Sequence, residues 1–213
     1  MPRLRDPESH AETRRAQILA EAIQVFGEKG YHAANIADIA RRLGLGHGTF
    51  YRYFRSKLDI FDAIVDGIVA AIGALVLEEA ATHAESLEEY RAQLRRIGSR
   101  FLSIFAANER LARLVFYEGI AVDPAVGAKI RGIMDAFAGY TAAYLENGKR
   151  RGFLRADVDA EVTARAINAM IFESIEHIAR SDDPRAAGDR WQSAIIALML
   201  DGMGAHRAAP STK

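Results

Sequence analysis

Between Leu43 and Lys57 the chain reads LGLGHGTFYRYFRSK. Gly44, Gly46 and Gly48 alternate through its first half, and Thr49, Tyr51, Arg52, Tyr53 and Lys57 gather hydroxyls and cations in its second. Two chemistries are open to such a run. A glycine-rich loop can cradle phosphates, but it needs a strand before the glycines and either G-x-G-x-x-G or Gly-Lys-Ser/Thr spacing. Here an amphipathic helical pattern precedes the glycines, and neither spacing is present. Two short helices around a tight turn account for every residue. Gly44 ends the first helix in a left-handed conformation that costs glycine little. Leu45 plugs the angle, and Gly46, His47 and Gly48 keep the next helix slim at its start. Phe50 and Phe54 face inward while the polar side chains face out. That is a helix-turn-helix, whose second helix lies in the DNA major groove.

A second pair that could do chemistry is Glu173 and His177, four apart on one helix face, a spacing suited to metal binding or acid–base work. There is no H-E-x-x-H and no matched set of Glu-x-x-His repeats, and the six histidines are scattered. A helix with polar contacts is the simpler reading, so no enzyme, metal or cofactor is expected.

The elements that must hold these residues are helices almost throughout. The apolar periodicity predicts helices over residues 14–29, 36–43, 47–53 and 57–83, then 87–106, 109–118, 124–151, 160–180 and 185–205. The breaks carry Gly30, Asn35 as an N-cap, Ser86, Asp123-Pro124 and the SDDPRAAGD segment. The fold class is therefore all-α, divided near residue 57 into a small three-helix head (1–57, its first dozen residues flexible) and a larger helical bundle (58–213). Half of the 213 residues are hydrophobic and none is cysteine, which allows a real core and excludes disulfides and thiolate zinc sites. No apolar run approaches the roughly 20 residues of a membrane span, and the N-terminus has no hydrophobic signal core. A cytoplasmic protein away from membranes is expected. The net charge is zero, yet lysine and arginine outnumber acids 10 to 6 up to Leu58 and fall short 18 to 22 after it. A basic head on an acidic body suits a protein that touches a polyanion with one end.

The stretch RRAQILAEAIQVFGEKGYHAANIADIARRLGLGHGTFYRYFRSKLDIFDAI, from Arg14 to Ile64, resembles the DNA-binding head of TetR-type transcriptional repressors. The remaining residues resemble the family only in helical layout. The resemblance implies that Tyr51, Tyr53 and Lys57 meet DNA phosphates, which set register and affinity. It places Asn35 at the start of the second helix, where threonine is usual, and His47, Gly48 and Thr49 at base edges. Ala37 stands where many members carry arginine; Arg41, Arg42 and Arg52 are candidates to compensate, with Arg42 and Arg52 counted in the DNA-contact set.

It also implies a homodimer on a palindromic double-stranded operator, released by a small apolar or amphipathic effector. Ile167, Ile171, Ser174 and Ile178 form one apolar stripe and Trp191, Ile195, Leu198 and Met199 another, too much to leave exposed on a monomer. These are the expected dimer surface. Phe101, Phe105, Phe116, Tyr117, Met134, Phe137, Tyr140 and Phe172, with Tyr144, are the expected lining of an apolar ligand cavity.

Overall fold

The protein is described here as a computed structural model, covering residues 7–82, 84–106 and 109–203. It is built from helices, with no strand among the described residues: α1 (Pro7–Lys29), α2 (Ile36–Arg42), α3 (His47–Phe50), α4 (Lys57–Glu78), α5 (Leu87–Ala106), α6 (Glu109–Ala112), α7 (Pro124–Arg150), α8 (Ala160–Ala179) and α9 (Pro184–Ala197). Two stretches are wound in the wider π form, Arg113–Glu118 after α6 and Leu198–Gly202 after α9. The all-α expectation holds, with shifted ends. α1 starts at Pro7 and not Arg14, so the first dozen residues are partly helical. α3 stops at Phe50, with turns to Tyr53. His83 and the segment from residue 204, where two helices were expected to end, lie outside the described residues.

The chain forms two compact units. One takes the described residues up to Ala70 together with those from Glu109 to Arg131; the other takes Ala71 to Ala106 and Gly132 to Met203. In the first unit, Ile18, Val25 and Phe26 of α1, Ile39 of α2, and Ile60 and Phe61 of α4 are fully buried, with Phe50 and Phe54. Ile36 and Leu43, the other expected core positions of α2, are half-buried. By length and composition α4 is apolar enough to cross a bilayer, contrary to the expectation from the sequence. Ile60, Phe61, Ile64, Val65 and Ile68 supply part of that composition and are buried within the chain, while Val69 and Leu77 of the same helix are exposed. The second unit packs around Tyr90, Leu145, Ala164, Ile167, Ile196 and Leu200, drawn from α5, α7, α8 and α9 and the turn beyond. Tyr90 is fully buried and donates its hydroxyl to the Tyr144 carbonyl at 2.9 Å.

Within the first unit the start of α7 approaches the short turn Gly119–Ala121 so closely that a Cβ on Gly127 would lie 2.6 Å from the Ile120 carbonyl oxygen. Backbone cannot yield as a side-chain tip can. Gly127→Ala is expected to cost about 1–3 kcal/mol in urea unfolding. Gly132→Ala, in the same helix with nothing within 4 Å, is expected to be neutral or stabilising by up to about 1 kcal/mol. Equal midpoints for the two variants would refute the close approach.

Candidate nucleic-acid interface and ligand cavity

The geometry of the candidate interface begins with two caps. Asn35 opens α2: its side-chain oxygen accepts the Asp38 N–H at 2.9 Å, and Asp38 returns a carboxylate oxygen to the Asn35 N–H at 3.3 Å. The pair satisfies two otherwise orphaned donors. Asp38 is buried and pairs with Lys29 at 2.9 Å and Arg41 at 3.5 Å; the Lys29 hydrogen bond leads in holding its carboxyl below the usual range. At the other end Gly44 sits at φ +62°, as its position requires. The Leu45 N–H reaches the Ala40 carbonyl at 2.9 Å and the Gly44 N–H reaches Arg41 at 3.2 Å, which closes the helix with a paired C-terminal cap.

α3 then leaves in a new direction, anchored through Phe50 and Phe54. Arg15 of α1 braces this corner, donating to the Tyr53 carbonyl at 3.2 Å with its guanidinium 4.3 Å from the Phe54 ring centre. Sequence reading missed this brace, because its partner is 38 residues away in the chain. The outward positions of α3 are open. Gly48 is exposed, and a Cβ added there meets nothing within 4 Å. Thr49 and Tyr53 are half-exposed, and Tyr51 and Arg52 are exposed, with Arg52 lying 5.9 Å over the Tyr53 ring. The side chain of His47 lies outside the described part of the structure.

Two expected DNA contacts have partners within the chain. Lys57 turns inward: its ammonium donates to the carbonyls of Tyr31 at 2.7 Å, His32 at 3.0 Å and Ala34 at 2.9 Å, and lies 4.4 Å from the Tyr31 ring centre. An ammonium has three N–H donors, and all are used. Partial burial lowers its pKa. Arg42 turns back onto α1, pairing with Glu21 at 3.1 Å and with Glu28, which hold it charged. Glu28 also meets Arg110 of α6 at 3.5 Å. All three arginines weighed against Ala37 are exposed, Arg42 being the one held in ion pairs to two α1 carboxylates.

The second unit holds a cavity of about 90 Å³ between α4, α5, α7, α8 and α9. Phe101, Phe137 and Tyr140 line it as expected, with Tyr144. Phe105 and Phe172 stand behind that wall, 5.4 and 6.2 Å from the Phe101 ring. Met134 is not in the lining, and Phe116 and Tyr117 belong to the first unit. Ile167, Ile171, Ser174, Ile195 and Met199, expected to meet a second copy, line the cavity instead. Four of them are under 10% exposed in the single chain, Ile167 at 3% and Ser174 at 3% among them, so they have little surface left to offer. Ile178 and Trp191 are half-exposed, Trp191 lying 5.5 Å from the His177 ring. Leu198 is 56% exposed. Glu173 and His177 stand 3.1 Å apart on the exposed side of α8, and no group of three potential metal ligands occurs among the described residues.

Residues 18–64 match the family model described as bacterial regulatory proteins, tetR family, and residues 87–176 match a tetracyclin repressor-like C-terminal domain. The transcriptional activator FasR of Mycolicibacterium smegmatis is 29% identical over 118 residues, 55% of this chain and 52% of that protein, so the match spans about half of that relative's length. The transcriptional repressor KstR2 of Mycobacterium tuberculosis is 26% identical over 195 residues, 90% of this chain and 93% of that protein. Among solved structures, FadR from Bacillus subtilis in complex with stearoyl-CoA superposes with a TM-score of 0.70 at 22% identity, covering 88% of this chain and 98% of that one, a likeness of fold.

Proposed function

The chain belongs to the TetR family of bacterial transcriptional regulators, and from that premise we propose that it is a repressor that binds a palindromic operator as a homodimer and leaves it when a small apolar or amphipathic molecule fills the cavity. In this reading residues 1–57 form the DNA-binding head and residues 58–213 the sensing and dimerising body, at work in the cytoplasm. The observation that carries it is the polarity of α3 and its turn. Phe50 and Phe54 are fully buried, while Gly48, Tyr51 and Arg52 on the other side are exposed. A short helix held by its aromatic face, with a slim and cationic outer face, is what a major groove admits.

Pairing would use what α8, α9 and the π-wound stretch after α9 leave outside: Val162, 64% exposed, Leu198, and the exposed alanines 166, 169 and 194. Small residues allow close approach of helices, and the two large apolar ones supply the area. Coupling would run through α4, which carries Lys57 in its first turn and places Leu75 and Val76 in the cavity wall. A 100-fold loss of operator affinity needs only about 2.7 kcal/mol of differential binding. The stearoyl-CoA in the FadR structure, an apolar chain on an anionic head, is a precedent for a ligand with an apolar portion.

Selection of bound sequences from random DNA tests the reading. Two inverted half-sites about 34–36 Å apart, or a multiple of that, are expected. Affinity that vanishes with salt and favours no sequence would remove it. FasR is an activator by name, and a reporter gene downstream of the selected site decides the sign of regulation.

A further inference from the structure

Among the described residues the cavity wall contains no aspartate, glutamate, lysine, arginine or histidine. An anionic or cationic ligand group would enter it without a counter-charge, and burying an unpaired charge is prohibitive. The polar groups in the wall are, with one exception, already committed. Tyr140 donates to the Val76 carbonyl at 2.8 Å, Ser174 to Ile171 at 2.7 Å, and Thr141 sits 2.8 Å from the Asn168 amide oxygen. Gln192 lies across α5, its amide donating to the Arg95 carbonyl at 2.7 Å. The exception is Tyr144. Its side chain is only 5% exposed, its ring lies 6.0 Å from that of Tyr140, and its hydroxyl bonds to none of the described residues. The hydroxyl is not among the fully buried polar atoms that lack a partner, so it keeps accessible surface from which it can donate to an acceptor entering the site.

We propose that the cavity selects an uncharged, largely apolar ligand carrying one neutral oxygen acceptor, a ketone, ester or ether, which receives the Tyr144 hydroxyl. This rests on the sensing role assigned above and narrows it to a chemical class. Burial and the nearby Glu79 carboxylate raise the Tyr144 pKa well above that of free tyrosine, so the phenol keeps its proton and acts as a donor. Size restricts the class further. An apolar cavity of roughly 150 Å³ takes benzene, so this one, at about 90 Å³, holds about four heavy atoms as it stands and admits a ring-sized ligand only as its walls move.

Three probes of matched shape separate the possibilities: acetophenone, α-methylstyrene, in which a methylene replaces the carbonyl oxygen, and benzoate. Each is titrated calorimetrically into the full chain and into Tyr144→Phe, with thermal melting to confirm that the variant folds. Acetophenone is expected to bind about fivefold more tightly than α-methylstyrene, the worth of one neutral hydrogen bond, and benzoate not at all. Tyr144→Phe should weaken acetophenone alone and erase the difference. Benzoate binding as well as acetophenone, or a preference that survives in Tyr144→Phe, overturns the inference while leaving the sensing cavity intact. If none of the three binds, the cavity is not a ligand site and the sensing role falls with it.

Discussion

Lys57→Met is expected to lower stability to urea by about 2–4 kcal/mol and to leave the salt dependence of operator binding unchanged. Three carbonyls on the segment between α1 and α2 converge on one ammonium at 2.7–3.0 Å, and the methionine tail can replace the stem but none of the bonds. Tyr31 and Ala34, which supply two of those carbonyls, are buried at 7% and 2% exposure, so water cannot easily take the place of the lost donor. The alternative, carried by the family resemblance, is that this lysine neutralises a phosphate. It makes a different forecast: the slope of log affinity against log salt would fall by about 0.9. A lower slope with unchanged urea stability would show that the ammonium abandons its carbonyls on DNA. Both quantities come from the same purified variant.

Gly48→Leu should do the reverse. The fold has room for the side chain, since a Cβ at this position meets nothing within 4 Å. Replacing glycine near a helix start by leucine should also raise stability slightly, by up to about 1 kcal/mol. Operator affinity, however, is expected to fall on the order of 100-fold, because the added bulk stands where the slim first turn of α3 would approach the groove floor. Thr49→Val, half-exposed one residue on, should instead change the ranking among operators with a smaller loss overall. A Gly48→Leu protein that melts normally and binds its operator as tightly as before would place α3 away from DNA.

Features written in local sequence were legible before any coordinates. Glycine at 44 and asparagine at 35 declare a helix end and a helix start through their own backbone and side-chain preferences, and both do so here. The buried Phe50–Phe54 face follows from spacing alone. What escaped depends on partners far away in the chain. Lys57 and Arg42 have long side chains whose targets are 14 to 26 residues distant, and nothing in the run around them says that Lys57 folds onto three carbonyls or that Arg42 pairs across the surface with α1. The stripes on α8 and α9 announced burial but not its source. An apolar row looks the same whether it is covered by a second copy or by α5 and α7, and Ile167, Ile195 and Met199 prove to be covered from within. Phe116 and Tyr117 had the right chemistry for the cavity but lie in a segment that joins the first unit.

The π-wound stretch Arg113–Glu118 bears on how this chain can tolerate changes of length. A π turn is an α-helix holding one residue too many, here with Arg113 and Glu118 paired five positions apart at 3.7 Å. Excising a single residue from the middle of α7 would rotate every later side chain by about 100° and scramble both of its faces. The same excision between 113 and 118 would let the bulge relax to ordinary α winding, with the flanking helices kept nearly in phase. Shorter relatives should therefore have their gaps at this place, and a one-codon deletion here should be survivable where its neighbours are lethal to folding.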